Sequence, residues 1–209
     1  MKMIRTIKLL ALSALALVAL GAVSATGAQA GTFTAAAYPA TITGQNVGGA
    51  HVFNTEVGMM NCNVTFHGEL AAASSELTLT PTYNCGIGGV EVDVDMNGCD
   101  YVFHAGETIA MHEVGGSMDI LCPEEAEIDF EITSMVTCHL TVGEQLGLET
   151  ITYTNRTMAR DVHADMSLGE IAYGLDEGCP VMGTFANGTY GGTTTLASDN
   201  EGLDAFTVD

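Results

Sequence analysis

Asp93-Val-Asp95-Met-Asn97-Gly98 sets three oxygen-bearing side chains on alternate positions ahead of a glycine. This is the first half of a calcium loop, in which carboxylates and an amide begin a shell of about six to eight oxygens around a hard cation. The closing bidentate carboxylate belongs eleven residues after Asp93, and the chain has His104 there. The same residues also read as a strand with an acidic outer face that runs into an Asn-Gly turn. Asp93, Asp95 and Asn97 are therefore the candidate metal ligands, calcium is the cation they suit, and no other cofactor is expected.

Three histidines invite a second metal reading. His67 and His104 each follow a cysteine by five residues, and His139 follows one directly. Strand alternation turns all three away from the core, where zinc or copper could use them only if their strands met. Met59-Met60 and Met111-His112 offer soft ligands, although methionine more often fills cores. Enzyme signatures are missing: there is no G-x-S-x-G, no H-E-x-x-H and no phosphate-cradling glycine loop. Carboxylates are plentiful and a glycosidase needs two across a cleft, so a carboxylate-based hydrolase stands as a minor alternative to a non-enzymatic role.

The cysteines carry the most specific spacing. Cys62 to Cys85 and Cys99 to Cys122 are each 23 residues, and Cys138 to Cys179 is 41. Cys62-Asn-Val-Thr-Phe66-His67 resembles Cys99-Asp-Tyr-Val-Phe103-His104, and Cys138-His-Leu-Thr-Val142 is a looser third copy. Each cysteine shares a strand face with apolar residues two and four positions on: Val64 and Phe66, Tyr101 and Phe103, Leu140 and Val142. Such a repeat, each unit clipped by its own bridge, predicts Cys62–Cys85, Cys99–Cys122 and Cys138–Cys179. A zinc site is disfavoured because no C-x-x-C pair is present.

Period-two alternation is the dominant pattern, and it must position these residues. Val90, Val92, Val94 and Met96 alternate with acids and an amide. Ala126, Ile128, Phe130 and Ile132 do the same, as do Val162, Ala164, Met166 and Leu168. Half-buried strands read this way. Asn97-Gly98 and Asn187-Gly188 suit tight hairpin turns. The expectation is an all-β, antiparallel sandwich or barrel-like fold of about ten to twelve short strands with three disulfides.

Residues 1–30 read as a cleaved export signal. Lys2, Arg5 and Lys8 precede a 15-residue stretch, Leu9 to Val23, broken only by Ser13 and Gly21, and Ala28-Gln29-Ala30 follows as a cleavage pattern. A membrane span needs about 20 apolar residues. Residues 31–209 would form a single β-rich domain, with a subdivision near Ser134 as the alternative. That segment holds two arginines, no lysine and all 26 carboxylates, a formal net charge of −24. Nucleic acid is excluded as a partner, because almost nothing could displace counterions from phosphates.

Val92-Asp-Val-Asp-Met-Asn-Gly-Cys-Asp-Tyr-Val-Phe-His104, Asp119-Ile-Leu-Cys-Pro123, Ile151-Thr-Tyr-Thr-Asn155 and Asn187-Gly-Thr-Tyr-Gly-Gly-Thr193 together resemble a group of small exported bacterial proteins, chiefly actinobacterial. The resemblance spans most of the chain after residue 30. It implies secretion and a β-rich fold, and it implies no activity. The functional expectation is an exported, non-enzymatic structural or adhesive protein, outside the cell or at its surface and free of the membrane once the signal is cleaved. The alternative is a calcium-dependent module for a cell-surface glycan or protein.

Overall fold

A computed structural model describes residues 30–199 and 206–209; the segment expected from the sequence to be an export signal, residues 1–30, lies almost wholly outside the described residues. Thirteen strands and no helix occur among them. In chain order they are β1 (Phe33–Ala35), β2 (Ala40–Thr55), β3 (Gly58–Leu70), β4 (Glu76–Ile87), β5 (Val90–Asp95), β6 (Asp100–Ala110) and β7 (Glu113–Leu121). There follow β8 (Ile128–Thr133), β9 (Thr137–Val142), β10 (Gln145–Arg156), β11 (Asp161–Leu175), β12 (Gly183–Ser198) and β13 (Phe206–Val208). All pairs are antiparallel. β1 and β13 make a small ribbon, and the other eleven strands run in the order β10-β7-β6-β4-β3-β2-β12-β11-β9-β8-β5.

Two further pairings, β10–β11 and β4–β5, return this ladder onto itself. The long strands make this possible. β4 gives Glu76–Leu79 to β6 and Cys85–Ile87 to β5. β11 gives Asp161–Met166 to β10 and Gly174–Leu175 to β9. Two strands thus lie end to end along one longer strand, at two places. The result is an all-β, barrel-like sandwich.

The alternating apolar residues point inward as their period requires. Val92, Ile128, Phe130, Ile132, Val162, Ala164, Met166 and Leu168 are all buried. Behind each cysteine, Val64, Phe66, Tyr101, Phe103, Leu140 and Val142 are also core residues. Ser134 sits in the β8–β9 hairpin, between strands that pair with each other from Ile128↔Val142 to Thr133↔Thr137.

The bridges join Cys62–Cys85, Cys99–Cys122 and Cys138–Cys179, with Cα separations of 4.0, 4.1 and 4.5 Å. Cys62 and Cys85 face each other directly across β3 and β4. Cys99 and Cys122 sit just outside the Asp100↔Leu121 pair that opens the β6–β7 ladder. The third unit is built differently, because β10 intervenes between β9 and β11 and the bridge runs from β9 to the loop after β11. In the chain-entropy account each bridge contributes about 3 to 4 kcal/mol.

Both Asn-Gly hairpin assignments need correction. Asn97 and Gly98 do have positive φ (49° and 81°), and the Cys99 N–H donates to Met96 O at 2.7 Å. However, β5 and β6 both run antiparallel to β4 and do not pair with each other. The turn is a jog between two end-to-end segments, not a reversal. Asn187-Gly188 lies inside β12, where Gly188 pairs with Ile171. Glycine is needed there for close approach, since a Cβ would meet Ile171 O at 2.9 Å and the Phe53 ring at 3.2 Å.

Candidate functional site

The predicted metal residues lie at the β5–β6 jog. Asp93 and Asp95 project from the outer face of β5, about 7 Å apart along an extended strand. Asn97 is committed to the jog: its N–H donates to Asp95 Oδ1 at 2.9 Å and its Nδ2 donates to Glu127 O at 2.8 Å. The segment is therefore a strand and a turn, not a loop coiled around one point. His104, at the position of the closing ligand, lies on β6 and contacts Asp119 at 2.8 Å and Glu76 at 3.7 Å.

What the register adds comes from the neighbouring strand. β8 pairs with β5 so that Asp93 faces Glu131 and Asp95 faces Asp129. Directly opposite residues in an antiparallel pair sit about 5 Å apart, and like charges there repel. One step further, on β9, His139 faces Glu131, and its Nδ1 lies 3.0 and 3.1 Å from the two oxygens of Asp129. That hydrogen bond holds the imidazole pKa above its usual value, with further help from the charges of Asp129, Asp176 and Glu131. Glu124, Glu125, Glu127 and Asp129 continue the face around an open bowl of about 510 Å³ beside Asn97. From sequence, the acidic strand carrying Glu127, Asp129 and Glu131 would strengthen a cation site only if it lay alongside Asp93 and Asp95, and the register places it there.

The three outward histidines do not converge. His67 lies on β3 between Thr43 and Thr80, His104 on β6 and His139 on β9. Asp176 approaches Cys138 and Cys179, but those sulfurs are bonded to each other. Its Oδ1 accepts the N–H groups of His139 (3.1 Å) and Gly178 (3.0 Å), so it braces the loop that carries the bridge.

The interior holds a polar chain that the sequence did not reveal. His51 on β2 is fully buried. Its Nε2 lies 3.2 Å from Thr193 O and 3.1 Å from Thr194 Oγ1. A carbonyl only accepts, so Nε2 carries the hydrogen and Nδ1 accepts from the Tyr190 hydroxyl at 2.7 Å. Tyr190 Oη is 3.3 Å from Tyr83 Oη, which donates to Tyr101 Oη at 2.8 Å. Burial pushes the His51 pKa down and raises the three phenols, Tyr101 to about 12, so the whole chain is neutral near pH 7. Gly192 makes room for the ring: a Cβ there would collide with His51 Cδ2.

Tyr83, Tyr101 and Tyr190 border an otherwise apolar cavity of about 30 Å³, closed on one side by Leu148. A space of this size holds a water-sized molecule and no substrate. Outside Leu148 an open groove of about 590 Å³ runs between β10 and β11, with Glu149 and Glu170 on its walls. Both side chains are exposed, whereas an acid–base carboxylate pair needs two contrasting environments.

No family model matches the chain, and neither the curated proteins nor the solved structures contain a match to it.

Proposed function

We propose that this is an exported, non-enzymatic structural or adhesive module, built to persist in an oxidising medium. The supporting observation is that all six cysteines are consumed in three bridges, one across β3 and β4, one beside the open end of the β6–β7 pair and one from β9 to the loop after β11. Such bridges form and last outside the reducing cytoplasm. The leader-like composition of residues 1–30 and the resemblance to exported actinobacterial proteins point the same way. Expression with and without residues 1–30 in a bacterial host tests the export step. The full chain should be recovered outside the cytoplasm, shortened to begin near Gly31 and free of reactive thiols. Recovery of uncleaved, thiol-bearing, folded protein from the cytoplasm would contradict it.

A calcium-dependent module for glycan or protein is the second reading, favoured by the carboxylates that face each other across β5 and β8. On this reading Asp93, Asp95, Asp129 and Glu131 share hard cations that relieve their repulsion. Millimolar calcium should then raise the melting temperature by several degrees more than magnesium or an equal ionic strength of sodium chloride. The Asp93→Asn/Asp95→Asn protein should lose that excess. An identical response to all three salts would remove this reading and leave the first intact.

A further inference from the structure

We propose that the interior cavity closed by Leu148 is a binding site for one water molecule, held by the hydroxyl groups of Tyr101, Tyr83 and Tyr190. The space measures about 30 Å³ and is bordered by these three phenols, by Met118 and Leu148, and by further aliphatic and aromatic side chains. A cavity needs at least about 10 to 15 Å³ to admit a water, and the water needs about two to four polar partners. Volume alone does not choose between water and an apolar guest of the same size. The direction of each hydrogen bond around the cavity does.

The hydrogens are fixed from one end. His51 Nε2 lies 3.2 Å from the Thr193 carbonyl, which can only accept, so Nδ1 takes the hydrogen of the Tyr190 hydroxyl at 2.7 Å. Tyr83 gives its hydrogen to Tyr101 Oη at 2.8 Å. A hydroxyl carries one hydrogen and two lone pairs, so two defects remain. The Tyr101 hydrogen has no acceptor, because Tyr83 is the one polar partner of that hydroxyl among the described residues. The Tyr83 and Tyr190 oxygens face each other at 3.3 Å with both of their hydrogens turned elsewhere. Tyr101 and Tyr190 are 5% and 8% exposed, so bulk solvent does not make up the difference, and buried polar groups are rarely left unpaired.

One water repairs both defects. It accepts the Tyr101 hydrogen and donates one of its own to the facing oxygens of Tyr83 and Tyr190. Met118, whose thioether is a weak acceptor, borders the same space and is available to the second hydrogen. The hydrogen bonds then run unbroken from Tyr83 through Tyr101 and the water to Tyr190, His51 and Thr193 O, and bonds in such a chain reinforce one another. An apolar guest would leave both defects in place. The site therefore selects a small protic ligand over a gas or a hydrocarbon, and Tyr101 is the residue that decides it.

The test counts long-lived internal waters in the oxidised protein by water magnetic relaxation dispersion. Xenon titration followed by methyl NMR reads the same cavity a second way. Tyr101→Phe removes the hydroxyl and keeps the ring. It should lower the count by one and let xenon shift the Ile120, Ile128 and Leu148 methyl resonances, a response the parent should lack. Tyr173 does not border the cavity, so Tyr173→Phe should match the parent in both measurements. Xenon entering the parent cavity would overturn the proposal, because it would show the Tyr83–Tyr101 bond running the other way beside a dry space. That experiment stands whether or not Tyr101→Phe folds. An equal count of long-lived waters in the parent and Tyr101→Phe, or the same loss in Tyr173→Phe, would overturn it as well.

Discussion

At the scale of single residues, His51 is the group whose chemistry is most constrained. The unfolded chain protonates a histidine near pH 6.5, but the folded chain resists, because the ring is buried and Nδ1 already accepts the Tyr190 hydroxyl. The unfolded state therefore binds more protons below that pH, and stability falls as pH drops below about 6.5, by at most about 1.4 kcal/mol per pH unit. His139 acts in the opposite sense. Its pKa is raised in the fold, so its contribution is present at low pH and lost as pH rises through the folded value. His51→Gln should remove the His51 component, so its difference in unfolding free energy from the parent should shrink as pH falls from 7 to 5. Chemical denaturation at several pH values measures this, and parallel curves would show that His51 does not govern it. Tyr190→Phe keeps the ring and leaves His51 Nδ1 without its donor, which should cost about 1 to 3 kcal/mol.

Among the elements, side-chain amides stand in for main chain where the ladder breaks. Gln145 donates Nε2–H to Ala172 O at 3.0 Å and accepts the Ala172 N–H at 2.7 Å, pairing β10 to β11 below the point where their backbones part. Asn155 treats Val208 of β13 in the same way, at 2.6 and 2.8 Å. Asn46 Oδ1 accepts the Val64 N–H at 3.0 Å, and its Nδ2 donates to Gly49 O at 2.8 Å, spanning the irregular stretch of β2 between Gln45 and His51. Gln145→Ala should destabilise by about 1 to 3 kcal/mol and speed hydrogen exchange at the Ala172 amide. Unchanged exchange there would show that the contact is not formed in solution. These amides also mark where the sequence stops being legible. Alternation placed the core residues of β5, β8, β9 and β11 correctly, and cysteine spacing anticipated the bridges, because each depends on local period. Asn46 and Gln145 read as ordinary polar residues because their partners lie across breaks in the β2–β3 and β10–β11 ladders, which no local period announces. The jog at Asn97-Gly98 read as a hairpin for a similar reason. Its turn chemistry is local, but whether the flanking strands fold back depends on the length of β4.

For the whole molecule, the balance lies between covalent ties and charge. Twenty-six carboxylates against two arginines after residue 30 repel one another across β5 and β8 and elsewhere on the outer faces, and this self-repulsion weakens as salt screens it. Thermal melts should rise as sodium chloride increases from about 0.01 M to 1 M, a range over which the screening length falls from about 30 to 3 Å; a melting temperature independent of salt would mean the charge is already neutralised by bound ions. The three bridges together contribute about 10 kcal/mol in the chain-entropy account, comparable with the net stability of about 5 to 15 kcal/mol that a domain retains. The most direct test is therefore the melting temperature and near-ultraviolet circular dichroism of the protein in low salt, before and after complete reduction and alkylation of all six cysteines. Loss of the folded signal at 25 °C after reduction is the expected result. A fully alkylated protein that keeps its spectrum and melts within a few degrees of the oxidised form would contradict the view that disulfides hold this anionic sheet together.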